Sequence, residues 1–167
     1  MAVRRDEEFR EFVSGTQWRL LQAADLLTGD RRLAADLVQH ALLKTYLVWG
    51  RVREGDPEAH ARAVMVNRYT DWWPRRIRRE RAHPPDPDQP VRGELAGQLA
   101  RRTTVLCALS RLTGRERVVV VLRYHAGLTE AEIARELGWP VGTVISTAAH
   151  AAATLRADPL LRTEVTS

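Results

Sequence analysis

The chain has 167 residues, room for one ordinary domain or two small ones. Its net charge of +5 and pI near 10.3 favour a polyanionic partner, nucleic acid being the commonest, although an arginine-rich proteome gives the same balance. Cys107 is the only cysteine, which excludes an internal disulfide and fits a reducing compartment. No N-terminal apolar run resembles a signal peptide and no stretch approaches a membrane span, so a cytoplasmic chain without membrane insertion is expected.

In chain order, Phe9, Phe12, Val13, Leu20, Leu21, Ala24 and Leu27 follow helical spacing. Thr28, Gly29 and Asp30 end that helix and start the next, whose stripe is Leu33, Leu37, Val38, Ala41, Leu42, Val48 and Trp49. Arg53–Pro57 is a loop. A third helix runs from about Glu58 to Arg81 and carries Ala63, Val66 and Ile77. Three helices of this length make a small core.

The end of the third helix is the most basic stretch. Six arginines lie between Asn67 and Arg81, beside Tyr69, Trp72 and Trp73. Guanidinium groups pair bidentately with phosphate, and aromatic faces stack on unpaired bases. The pattern suits DNA that is being opened. The tryptophans fit base stacking and core packing equally well. Pro74 removes a helical hydrogen bond at a cost of ~3 kcal/mol, so a kink or a restart is expected there.

Residues 82–97 contain four prolines and no apolar periodicity and read as an extended linker. The segments on either side are basic and the linker is acidic. Residues 1–81 carry 16 basic and 12 acidic side chains, residues 82–97 carry 1 and 3, and residues 98–167 carry 9 and 6. Beyond it come helices near Leu99–Leu112 and Arg115–His125. Cys107 falls in an apolar run with Val105, Leu106 and Leu109 and reads as a small core residue. Val118–Leu122 has strand propensity, but its flanks favour a buried helix.

Leu128–Arg156 then reads as two helices joined by a tight turn. Thr129 with Glu132 forms a capping box. Ile133, Ala134 and Leu137 give an apolar stripe, Gly138 a left-handed stop, and Pro140 fits the first turn of the next helix. Val144, Ala148, Ala151 and Leu155 line that helix's inner face. This is the layout of a helix-turn-helix, whose second helix enters the major groove of duplex DNA.

The order of these segments resembles the extracytoplasmic-function sigma factors of bacterial RNA polymerase, the short actinobacterial type most closely. L-L-T-G-D-R-R-L-A-A-D-L-V-Q (26–39) is similar to the segment that docks on the polymerase β′ subunit. D-P-E-A-H-A-R-A-V-M-V-N-R-Y-T-D-W-W (56–73) is similar to the −10 promoter segment. A-L-S-R-L-T-G-R-E-R-V-V-V-V-L-R-Y (108–124) resembles the start of the second sigma domain, and L-T-E-A-E-I-A-R-E-L-G-W-P-V-G-T-V (128–144) its −35 motif.

The resemblance implies an all-α chain of two small helical domains: sigma region 2 at 1–81, a linker at 82–97, sigma region 4 at 98–157, and a tail at 158–167. It implies a transcription initiation factor, monomeric when free, without cofactor or metal and without enzymatic activity. Its partners would be core RNA polymerase, promoter DNA and, as is common in the family, an anti-sigma factor. Asp36, Leu37, Val38, Gln39, Leu42 and Tyr46 would dock on polymerase. Arg53, Asp56, His60, Asn67, Arg68, Trp72, Trp73, Arg75 and Arg76 would serve the −10 element, with Asn67 helping to hold a flipped base. Thr129, Thr143, Ser146, Thr147 and His150 would serve the −35 element. Simpler roles stand beside these: Asp36 balancing Arg31 and Arg32, Asn67 capping a kink, Thr129 capping only.

Two departures stand out. His60 replaces a usual aromatic. From Val141 to Leu155 there is no lysine or arginine, where the family usually carries them. Phosphate neutralisation supplies much of DNA affinity, so this helix is expected to bind weakly, to read through hydroxyl and methyl contacts, or to face a protein. The competing readings are a stand-alone regulator, which would need a dimer although no heptad seam is evident, a sigma factor acting mainly through protein contacts, and a small enzyme. Against the last, His40, His60, His83, His125 and His150 are scattered outside any recognisable metal-ligand motif.

Overall fold

The computed structural model describes residues 1–80, 94–159 and 161, with the side chains of 73–80, 94–96 and 99 outside that description. Every regular element among them is helical: α1 (Ala2–Thr28), α2 (Arg31–Leu47), the short α3 (Trp49–Val52), α4 (Pro57–Glu80), α5 (Glu94–Ser110), α6 (Gly114–Val120), α7 (Glu130–Leu137) and α8 (Val141–Arg156). A π-helical turn, Val121–His125, continues α6.

The boundaries follow local chemistry. Gly29 closes α1 at φ 68°, a left-handed conformation that only glycine adopts freely, and its N–H donates to the Asp25 carbonyl at 2.8 Å. Asp30 opens α2 by accepting from the N–H groups of Arg32 and Leu33. Thr113 with Glu116 and Thr129 with Glu132 both form complete capping boxes. Gly138 ends α7 at φ 69°, and Pro140 sits at the cap of α8, one residue before its first turn.

Two expectations on the first lobe resolve. The helical assignment of α4 runs unbroken through Pro74, so there is no restart. Trp72 is half-buried and packs on the core. The linker segment lies mostly outside the described residues, but α5 begins at Glu94, so residues 94–97 are helical rather than extended. Cys107 corrects the sequence reading: it is exposed. The inward positions of α5 and the following turn are Ala108, Leu109 and Leu112, set by the α6–α8 surface they meet.

The two lobes share one buried cluster. Leu20, Leu27, Leu37, Val38, Met65, Val66 and Tyr69 of the first meet Val118, Val119, Leu122, Ile133 and Val144 of the second. Burying each large apolar side chain contributes about 1.5–3 kcal/mol, so the contact between lobes adds to what either would bury alone. A second, smaller cluster joins Leu109, Leu112 and Ala151 with Leu26 of α1 and Leu155.

Polar contacts lock the same junction. Arg62 of α4 grips Glu136 of α7 with two hydrogen bonds, Nε–Oε2 at 3.0 Å and Nη2–Oε1 at 2.6 Å. Arg102 of α5 does the same to Asp25 of α1 at 2.9 and 2.6 Å. The buried Arg117 donates Nη1–H to the Leu27 carbonyl at 2.8 Å and Nε–H to the Leu109 carbonyl at 3.0 Å. It thereby satisfies the Leu27 carbonyl at the C-terminal end of α1, which helices leave unpaired, and adds a second donor to the Leu109 carbonyl, which also accepts from the Leu112 N–H at 3.1 Å.

Candidate nucleic-acid interface

Three surfaces carry the residues that the sequence singles out. The first lies between α1 and α2. Leu37 and Val38 are 2% and 1% exposed. They belong to the core stripe and present nothing to a partner, because the α2 face they occupy packs on α1 and α4. Asp36 and Gln39 are exposed. Gln39, Leu42 and Tyr46 line a shallow groove of about 450 Å³, together with Leu43 on α2 and Asp6, Phe9, Arg10 and Val13 on α1. Sequence reasoning missed the α1 wall, since its apolar residues read only as core. The groove is mostly apolar and firmly backed. Phe9 packs edge-on against Tyr46 at 5.0 Å and Trp49 at 5.2 Å. The Tyr46 hydroxyl donates to Asp6 at 2.7 Å, and that bond pushes the phenol up from its ordinary range.

The second surface is α4 and the loop before it. Asp56 caps the helix, accepting from the Ala59 N–H at 2.9 Å. Arg53 is tied to Glu8 of α1 at 2.9 Å. His60 is half-buried near the helix start. Asn67 and Arg68 are exposed, one turn before Trp72. Trp73, Arg75 and Arg76 have side chains outside the described residues. At 3.6 residues per turn, Asn67 sits about 140° round α4 from Arg62. The face that holds the second lobe is therefore not the face that presents Asn67.

The third surface is the helix-turn-helix. Thr129 caps α7, its hydroxyl accepting from the Glu132 N–H at 3.2 Å while Glu132 accepts from the Thr129 N–H at 2.8 Å. Those bonds, with the backbone contribution first, hold the Glu132 carboxyl below its usual range. On α8, Val144 and Ala151 are fully buried and Ala148 and Leu155 half-buried, the expected inner face. Ser146 and His150 are exposed, whereas Thr143 and Thr147 are half-buried at its margin. The outward row is Val141, Gly142, Ile145, Ser146, Ala149, His150 and Ala153, so the apolar Val141 and Ile145 stand in it beside the polar residues. Arginines stand on neighbouring elements instead: Arg135 is exposed on α7, and exposed Arg115 on α6 lies over the Trp139 ring at 4.6 Å.

Among the described residues no group of His, Cys, Asp and Glu is placed to hold a metal ion. No described helix is long and apolar enough to cross a membrane.

The profile of Sigma-70, region 4, matches residues 102–155, from within α5 through nearly all of α8. The RNA polymerase sigma-E factor of Streptomyces coelicolor is 36% identical over 156 residues, covering 93% of this chain and 88% of that one. Its counterpart in Streptomyces avermitilis is 37% identical over 152 residues, 90% and 84% of the two chains. Among solved structures, the fold is similar to the sigma factor RpoE in complex with the anti-sigma factor NepR from Bartonella quintana. That match has a TM-score of 0.66 at 20% identity, over 93% of this chain and 98% of that one. CnrH in complex with the cytosolic domain of CnrY gives a TM-score of 0.58 at 23% identity, over 89% and 85%. The chain belongs to the extracytoplasmic-function sigma factors of the sigma-70 family.

Proposed function

We propose that this chain docks on core RNA polymerase through the α1–α2 groove and captures the −10 element on α4. As a sigma factor it is a transcription initiation factor that directs the polymerase to promoters. The observation that carries the residue assignment is the separation of three surfaces. An apolar groove for protein, an exposed Asn67–Arg68 face for DNA and an outward α8 lie on different elements, so no two partners compete for one face. In this reading Asp36, Gln39, Leu42 and Tyr46 meet the polymerase, Asn67 holds a flipped base, and Arg68 follows the backbone. The chain does no covalent chemistry of its own and works in the cytoplasm.

The compact arrangement also sets a requirement. A folded chain of this length is about 40 Å across. The −10 and −35 elements lie roughly 25 base pairs apart, about 85 Å of duplex at 3.4 Å per step. The two lobes therefore separate when both elements are engaged, and the Arg62–Glu136, Arg102–Asp25 and Arg117–Leu27 contacts break. The sigma factor RpoE of similar fold is bound to the anti-sigma factor NepR, and an anti-sigma partner that holds the lobes together would keep this chain off promoters. The test of the −10 assignment is promoter-dependent transcription with Asn67→Ala. Polymerase binding is expected to persist while open-complex formation falls at least tenfold; unchanged opening would contradict the role of Asn67.

A further inference from the structure

The outward face of α8 departs from what a DNA-reading helix ordinarily carries, and its chemistry is specific. Val141 and Ile145 are 46% and 48% exposed. Between and beyond them stand Gly142, Ser146, Ala149 and Ala153, all exposed and all small. No lysine or arginine lies on the helix before Arg156. The Ser146 hydroxyl donates to the Thr143 carbonyl one turn back, at 3.2 Å. In that rotamer its oxygen is left to accept.

Resting on the sigma-factor reading above, we infer that α8 reads its −35 element through thymine methyl groups, with Val141 and Ile145 as the specificity-determining residues. The major-groove edge of thymine is the one that offers an apolar group, its C5 methyl. Val141 and Ile145 are one helical turn apart, about 6 Å along the axis. That distance spans about two base steps at 3.4 Å each, so the helix registers thymines two positions apart. Gly142, Ala149 and Ala153 let the backbone approach the groove floor, and even a Cβ added at Gly142 would meet nothing within 4 Å. Guanine readout by arginine or lysine is absent from this face, and phosphate charge is met from neighbouring elements by residues such as Arg115 and Arg135.

A protein partner fits this face poorly. Protein interfaces are anchored by tryptophan, tyrosine and arginine in pockets. This row offers none of them, and its small residues present little area.

The experiment uses holoenzyme made from the full chain and a bacterial core RNA polymerase. It is selected on a promoter library randomised over the −35 element, and the enriched duplex is remade with deoxyuridine in place of each thymidine. Enrichment of thymines two steps apart is expected. Each lost methyl should weaken binding about fourfold, the worth of one buried methylene. Ile145→Ala should abolish the effect at one of the two positions. Ile145→Arg should steepen the dependence of log K on log salt by about 0.9, one added phosphate contact. An enriched element without thymine, binding indifferent to deoxyuridine, or no −35 preference at all would overturn the inference. Failure of the holoenzyme to assemble is seen before any promoter is offered and would overturn the sigma reading, and this inference with it.

Discussion

Glu136→Gln should open the molecule. The pair it breaks is the central polar contact between lobes, bidentate at 3.0 and 2.6 Å, with the Arg62 and Glu136 side chains 12% and 9% exposed. Burial works against the Arg62 charge; the hydrogen bond and charge of Glu136, then Glu58 and Asp56, outweigh it and hold the guanidinium above its ordinary range. An exposed pair is worth at most about 1 kcal/mol, while removing one partner of a fully buried pair costs about 3–5 kcal/mol. This pair falls between, and Glu58 at 4.0 Å leaves Arg62 a second carboxylate. A loss of about 2 kcal/mol follows, roughly a thirtyfold shift in the closing equilibrium. Because the pair joins lobes, the loss appears as lobe separation before either lobe melts. A fluorophore on exposed Cys107 of α5 and another on Lys44→Cys of α2 report it by energy transfer. Transfer should fall in Glu136→Gln and, at low chain stability, fall further on warming, while helix content stays constant. Unchanged transfer with a lowered melting temperature would refute the reasoning, since the pair would then serve the fold and not the latch.

Three other outcomes follow from the same junction. Arg117→Leu strands the Leu27 carbonyl, while Leu109 keeps its bond from the Leu112 N–H at 3.1 Å, and should cost about 2 kcal/mol, roughly 6 °C in a thermal melt. Thr129→Ala removes one side of the α7 capping box and should cost about 1 kcal/mol, read as faster hydrogen exchange in α7 with α1 and α2 unchanged. His125 is pushed below the ordinary histidine range by burial and then by the Arg62 charge. The unfolded chain takes up a proton that the folded chain refuses, so stability is full above about pH 6.5 and declines as pH falls below it. Denaturant titrations at pH 7.5 and 5.5 should show this decline, and His125→Gln should reduce it.

Much of the local structure was legible because it is written in short-range chemistry. The Thr28–Asp30 break, the Thr129 box, the Gly138 stop and the inner face of α8 each depend on residues a turn apart, and each forms as the sequence suggests. What pairs across the chain was not legible. Arg62 meets Glu136 and Arg117 meets Leu27 only because helices distant in sequence pack together, and no spacing announces it. Leu37 and Val38 show a related limit: a stripe that builds the core and a motif that docks a partner overlap on α2, and burial gives these two to the core. Cys107 shows another. Consecutive apolar residues on α5 do not say which side faces inward; the packing of Ala108 and Leu109 decides it. On α8 the absence of basic residues drew attention to hydroxyls, whereas exposure brings forward Val141 and Ile145.

The most direct test of the account is transcription from a library of bacterial promoter fragments by a core RNA polymerase, with and without the purified chain, repeated with alanine at Gln39 and Leu42. The account predicts specific initiation only when the chain is present, and at least a tenfold loss in the groove variant, which should melt like the parent. Initiation no different from core polymerase alone, with the chain still binding duplex DNA, would contradict it.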